Sequence, residues 1–89
     1  MPKVTFTANL ERHLPTPTVE VEARTVRAAL DAVFDNHPQL RSYILDDQDR
    51  LRQHVLVFVD AEMIRDRMDL SDAIDSSAEL LVMQALSGG

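Results

Sequence analysis

An α+β fold, with one main helix packed on one face of a mixed sheet of four to five strands, is what this chain's pattern predicts. Segments that alternate apolar and polar residues, or run apolar without a break, stand both before and after one segment with helical spacing. Clusters rich in Pro, Asp, Asn and Ser separate them. A helix that is apolar along one stripe and a sheet that is apolar on one face bury each other, which gives a two-layer domain.

Val4, Phe6, Ala8 and Leu10 alternate with Thr5, Thr7 and Asn9, the period of a strand with one buried face. Pro15 and Pro17 mark Glu11 to Thr18 as a loop. Val19, Val21 and Ala23 alternate with Glu20 and Glu22, a second strand that pairs with the first as a hairpin. Thr25 stands as a helix N-cap. Val26, Ala29, Leu30, Val33 and Phe34 come next at i, i+3, i+4, i+7 and i+8, one apolar stripe that Asn36 and Pro38 bring to an end.

Leu40, Tyr43, Ile44 and Leu45 predict one or two more helical turns under the core, and Asp46 to Arg50 a polar turn. His54 to Val59 is a nearly continuous apolar run and reads as a central strand. Asp60 to Glu62 turns the chain into a short edge strand, Met63 to Arg65. Leu70 and Ile74 anchor a connecting turn or short helix, Asp75 to Ala78 turns again, and Glu79 to Leu86 forms the last strand. If that strand lies centrally beside the first, the end of the chain leaves from the most rigid part of the fold.

That end is Ser87-Gly88-Gly89, and these are the only two glycines in 89 residues. The division expected is therefore a domain over 1–86 and a flexible tail over 87–89. Glycine lacks a Cβ, so such a tail can thread a channel too narrow for other residues. The reactive group would be the terminal carboxylate, a poor electrophile that needs activation, most simply as an acyl-adenylate. No glycine precedes Gly88, so no phosphate-binding G-x-x-x-x-G-K-[ST] loop exists to do this with ATP. The chain reads as a substrate or carrier protein for a partner that does.

Composition narrows the field further. Eighty-nine residues make one domain with a modest core. A net charge of −6 argues against general nucleic-acid binding and suits a basic partner surface or simply solubility. No apolar run approaches a membrane span, and Met1-Pro2-Lys3 leads straight into the first strand without a signal peptide. Cysteine is absent, which removes disulfides, thiolate metal ligands and a thiol nucleophile. The cytoplasm is the expected compartment.

Other residue types that carry chemistry do not converge. Asp46, Asp47 and Asp49 lack the glycine and glutamate of a calcium loop and read as a solvated turn. His13, His37 and His54 share no ligand spacing, and His37 reads as a favourable charge at a helix end. Ser71, Ser76 and Ser77 lie in turns. Arg65 and Arg67 either meet an acidic partner or solvate an edge strand.

The element order, the length and the Gly88-Gly89 end resemble the ThiS/MoaD family of ubiquitin-like, β-grasp sulfur carriers. Val55, Val57 and Val59 match that family's inward positions, Glu62-Met63-Ile64-Arg65 its E-D-[IV]-R-like turn, and Leu80 and Val82 the inward positions of its last strand. The insert from Leu40 to Gln53 brings the resemblance nearer to carriers of the cysteine-biosynthesis type (CysO-like) and to archaeal small modifiers. Three positions depart from the pattern: Asp60-Ala61 where Asn-Gly or Asn-Asp is usual, Asp75-Ser76-Ser77 for a D-G-D turn, and Gln84 for a proline.

The resemblance implies that Gly89 bears the activated carbonyl, with Gly88 and Ser87 giving passage into a ThiF/MoeB-like adenylating enzyme that uses ATP. A sulfur donor or sulfurtransferase would then make a thiocarboxylate for a downstream sulfur-accepting enzyme, with no intrinsic cofactor, metal or catalytic residue. Two other functions share the fold. One is a protein modifier joined to lysines through Gly89; the other is a non-covalent interaction domain. With Val55, Val57 and Val59 inward, Leu56 and Phe58 point outward, as do Leu81 and Met83, and Leu86 extends the set. An outer apolar patch of this kind marks a surface for a partner or for weak self-association; the alternatives are that a loop covers it, or that the register differs by one and these residues form the core.

Overall fold

The computed structural model describes residues 1–7 and 18–84. Ala8 to Leu10 of the first predicted strand, most of the loop after it, and residues 85–89 lie outside the described residues. Five strands form one mixed sheet: β1 (Lys3–Phe6), β2 (Thr18–Glu20), β3 (Val55–Val59), β4 (Glu62–Met63) and β5 (Glu79–Gln84), in the order β2-β1-β5-β3-β4. β5 runs parallel to β1, and the other three pairings are antiparallel. The last strand thus takes the middle of the sheet. β3, read as a central strand, is interior, between β5 and β4.

The helix α1 (Val26–Asn36) covers one face. Thr25 is extended, and its Oγ1 accepts the Ala28 N–H at 3.1 Å. That bond satisfies one of the first-turn donors and is worth about 1 kcal/mol. All five residues of the predicted stripe are buried, Val26, Ala29, Leu30 and Val33 without residual exposure. Truncating a fully buried Leu such as Leu30 costs roughly 2–5 kcal/mol. The helix closes when the His37 N–H donates to the Val33 carbonyl, and Pro38 opens a 3₁₀ turn, Pro38–Leu40.

A further helical turn, α2 (Arg41–Ile44), comes directly after it. Leu40 and Ile44 are fully buried and Leu45 nearly so, but Tyr43 is 43% exposed, contrary to the inward position expected of it. Leu40 and Ile44 are four apart and share a face; Tyr43 is rotated about 100° from its neighbour Ile44. The polar turn after α2 is closed by the Asp46 carboxylate, which accepts the Gln48 and Arg50 N–H groups.

The facing side of the sheet carries Val4, Phe6, Leu80, Val82, Val55 and Val57, all buried. Register sets them in rows, Val4 beside Leu80 and Phe6 beside Val82, with Val82 opposite Val57. Leu70, Ile74 and Ala78 in the loop before β5 close the core's edge; the segment is a turn, not a helix. Among the described residues no polar or charged side chain is buried, so none is desolvated in the way that tunes a catalytic acid or base.

Candidate functional site

The open face of the sheet is the surface the fold leaves uncovered by α1. Strand pairing fixes its composition residue by residue. Across the five strands, one row runs Thr18, Thr5, Leu81, Phe58, Met63, each beside the next in register. The neighbouring row towards the end of β5 places Leu56 opposite Met83. The two threonines link through their hydroxyls at 3.0 Å.

Leu56, Phe58, Leu81 and Met83 therefore share this face, on the side away from the helix. They are half-buried where an exposed patch was expected. The reason is their pairing: each flank of one side chain covers the flank of its cross-strand partner. Met63, 50% exposed, extends the apolar row to the edge strand. Sequence reasoning placed Met63 on that edge but left it out of the patch, because a two-residue strand shows no alternation of its own. Leu86, Ser87, Gly88 and Gly89 lie outside the described residues.

One end of this face is acidic. Asp60 and Glu79 are exposed where β5 begins, and the Leu56–Met83 pair lies towards the end where β5 leads to the tail. Asp60 also joins the strands there. Its N–H donates to the Glu79 carbonyl at 2.9 Å, and its carboxylate accepts the Glu79 N–H at 3.0 Å. The β3–β4 turn that carries it has positive φ at both central residues, 50° at Asp60 and 71° at Ala61. That is the geometry of a type I′ turn, for which Asn-Gly is the favoured pair.

The remaining polar candidates serve the loops. The Asp66 carboxylate accepts the Ser71 hydroxyl and the N–H groups of Met68, Asp69 and Ser71. The Ser71 hydroxyl first, and then the Asp69 N–H, hold its pKa at about 2, below the usual 3.8. The Arg50 and Gln48 N–H groups likewise lower Asp46. Arg67 neither solvates the edge strand nor faces outward as a free cation: it donates to the Arg52 carbonyl at 2.9 Å. Arg27 donates to the carbonyls of Asp49, Met68 and Asp69, and so fastens two loops to α1. No three metal-ligating side chains come together among the described residues. No described helix is long and apolar enough to cross a membrane.

The profile of the ThiS family matches residues 4–89. SAMP1 from Haloferax volcanii is 30% identical, with 99% of this chain and 98% of that one aligned and a TM-score of 0.85. A chain of the BexX/CysO complex from Amycolatopsis orientalis aligns over 100% of both chains at 22% identity and a TM-score of 0.87. CysO from Mycobacterium tuberculosis aligns over 97% of this chain and 100% of its own at 19% identity, TM-score 0.85. These last two likenesses carry the fold. No curated protein matches in sequence.

Proposed function

This chain belongs to the ThiS family, whose β-grasp members are sulfur carriers and ubiquitin-like modifiers, and from that premise we propose that it carries sulfur as a thiocarboxylate on Gly89. The terminal carboxylate attacks the α-phosphorus of ATP on a ThiF/MoeB-like enzyme, and pyrophosphate leaves. Sulfide from a donor or sulfurtransferase attacks the acyl-adenylate carbonyl, and AMP leaves. The product is a thiocarboxylate, more acidic than a thiol and so an ionised sulfur nucleophile at neutral pH. A sulfur-accepting enzyme takes the sulfur, and hydrolysis restores the carboxylate.

The observation that carries this reading is the position of β5. It is bonded on both sides, to β1 and to β3, and the sequence reaches Gly89 five residues after its last residue, Gln84. Five extended residues reach at most about 17 Å. The partner that acts on Gly89 must therefore dock close to the sheet's end. The nearest apolar surface is the open face, with Leu56 and Met83 closest to the tail and Phe58 and Leu81 beside them. Ser87 and Gly88 supply the slender lead into the active site.

A second reading, conjugation of Gly89 to lysines of other proteins, has one observation in its favour. H. volcanii SAMP1, 30% identical over nearly the whole chain, is by its name a small archaeal modifier protein. Both readings need the same activation and differ in the acceptor.

Intact mass decides. The protein from its own host, and again after incubation with ATP, the cognate adenylating enzyme and a sulfur donor, gains the difference of one sulfur replacing one oxygen. Deleting Gly89 abolishes the gain. Conjugates on other proteins without that gain favour the modifier. An unchanged mass with no AMP adduct and no conjugates overturns both and leaves a non-covalent binding role for the open face.

A further inference from the structure

Lys3 is the only lysine in the chain; the other eight of its nine Lys and Arg residues are arginine. An arginine guanidinium stays protonated and does not attack an acyl group, whereas a lysine amine does when it loses its proton. The chain therefore offers an activated carboxyl one side-chain amine. We infer that Lys3 is the site at which this protein is joined to a second copy of itself, through a Gly89–Lys3 isopeptide formed between molecules and not within one. This rests on the proposed activation of Gly89.

Two placements support it. Lys3 is exposed, on the first position of β1, so its amine is open to an incoming carbonyl. It also lies at the wrong end for its own tail. β1 and β5 are parallel, and Lys3 stands beside Glu79, the first residue of β5. The tail leaves from the other end, after Gln84. Five residue steps separate Glu79 from Gln84, about 16 Å along the strand. The five residues beyond Gln84 span at most about 17 Å and must reverse direction within that length, so even with the roughly 6 Å of its own side chain Lys3 meets its own tail only near full stretch. A tail from another molecule meets no such limit.

The step balances without a further reagent. The deprotonated Lys3 Nζ attacks the Gly89 acyl-adenylate carbonyl, the C–N bond forms, AMP leaves, and the second amine proton passes to solvent. Each joined pair keeps one free Lys3 and one free Gly89. With a single lysine per copy, side-chain linkage gives unbranched chains only.

The test omits the sulfur donor, so that the acyl-adenylate has no competing thiolysis. The full chain is incubated with ATP, magnesium and the adenylating enzyme, then read by denaturing gel and intact mass. The wild type gives an AMP adduct and a species of two copies less one water. Trypsin releases from it a branched peptide joining residues 68–89 to Lys3 of residues 1–12. Lys3→Arg gives the AMP adduct without the dimer. Mixing Lys3→Arg, a donor only, with a chain lacking Gly89, an acceptor only, gives one mixed dimer. A dimer from Lys3→Arg, a branch at the Met1 α-amine, or an AMP adduct with no dimer overturns the inference while leaving activation in place. Absence of the AMP adduct overturns the activation reading and this one with it.

Discussion

Phe58 lies directly opposite Leu81 across the β3–β5 pair, on the face of the sheet away from the helix. Phe58 also stands beside Met63 of the edge strand, so one aromatic ring joins the middle of the sheet to its margin. Aromatic side chains at the centre of a desolvated contact typically carry about 2 kcal/mol or more of binding. Phe58→Thr keeps a strand-forming residue and removes the ring. We expect kcat/KM for adenylation of Gly89 to fall about 30-fold, the factor that 2 kcal/mol represents. Circular dichroism would show the fold retained. An unchanged rate would place the enzyme's docking surface elsewhere.

The β3–β4 turn holds an alanine at a positive φ of 71°. A residue with a Cβ pays roughly 1–2 kcal/mol there and glycine does not, although glycine gives back part of that in unfolded-state entropy. Ala61→Gly should therefore stabilise the protein by about 1 kcal/mol. For a domain of this size that raises the thermal midpoint by about 4–8 °C. A midpoint that stays or falls would show that the turn is not strained in solution.

Asp66 sets a dependence on acid. Its folded-state pKa of about 2 lies below the usual 3.8, chiefly through the Ser71 hydroxyl and the Asp69 N–H. A depressed carboxylate contributes its full stability above the unfolded value and loses it as the pH falls through the folded one. The contribution is present above about pH 4 and fades towards pH 2. Thermal melts from pH 6 to 2 should show the wild type losing stability across that window. Asp66→Asn should start lower at neutral pH and lose less on acidification, with Asp46, also lowered, contributing to the remaining slope. Parallel curves for the two proteins would contradict the assignment.

Arg27 donates to three carbonyls on two loops, those of Asp49, Met68 and Asp69. A lysine keeps the charge but cannot present a planar fork to acceptors that far apart. Arg27→Lys should cost about 1–2 kcal/mol in urea unfolding, the range of one or two hydrogen bonds from a charged donor in a partly exposed site. Amide exchange should quicken in the 66–71 loop more than in β5. Uniform quickening across the chain would point to a global loss instead.

The elements themselves were legible because each rests on neighbours in the chain. The 26–34 stripe and its Thr25 cap come from contacts three or four residues apart, and both stand in the structure. The alternation at Val55 to Val59 and at Glu79 to Gln84 named the residues turned away from the core before any pairing was known. The Tyr43 error arose in a segment too short for a period to register.

By itself the sequence determined the element order, which residues of each strand share a side, and the pairing of its two glycines at positions 88 and 89. These are local properties of backbone period and residue type. Tertiary structure alone decided that β5 lies between β1 and β3, that Leu81 meets Phe58 and Met83 meets Leu56, and that Lys3 stands at the pole away from the tail. It likewise decided that Arg27 reaches residues 22 and 42 positions away. A period of two states which side a residue takes but not which strand comes to lie beside it. That choice belongs to the packing of the whole sheet against α1, where burial of Val4, Leu80, Val82 and Val57 together outweighs any preference of one strand alone.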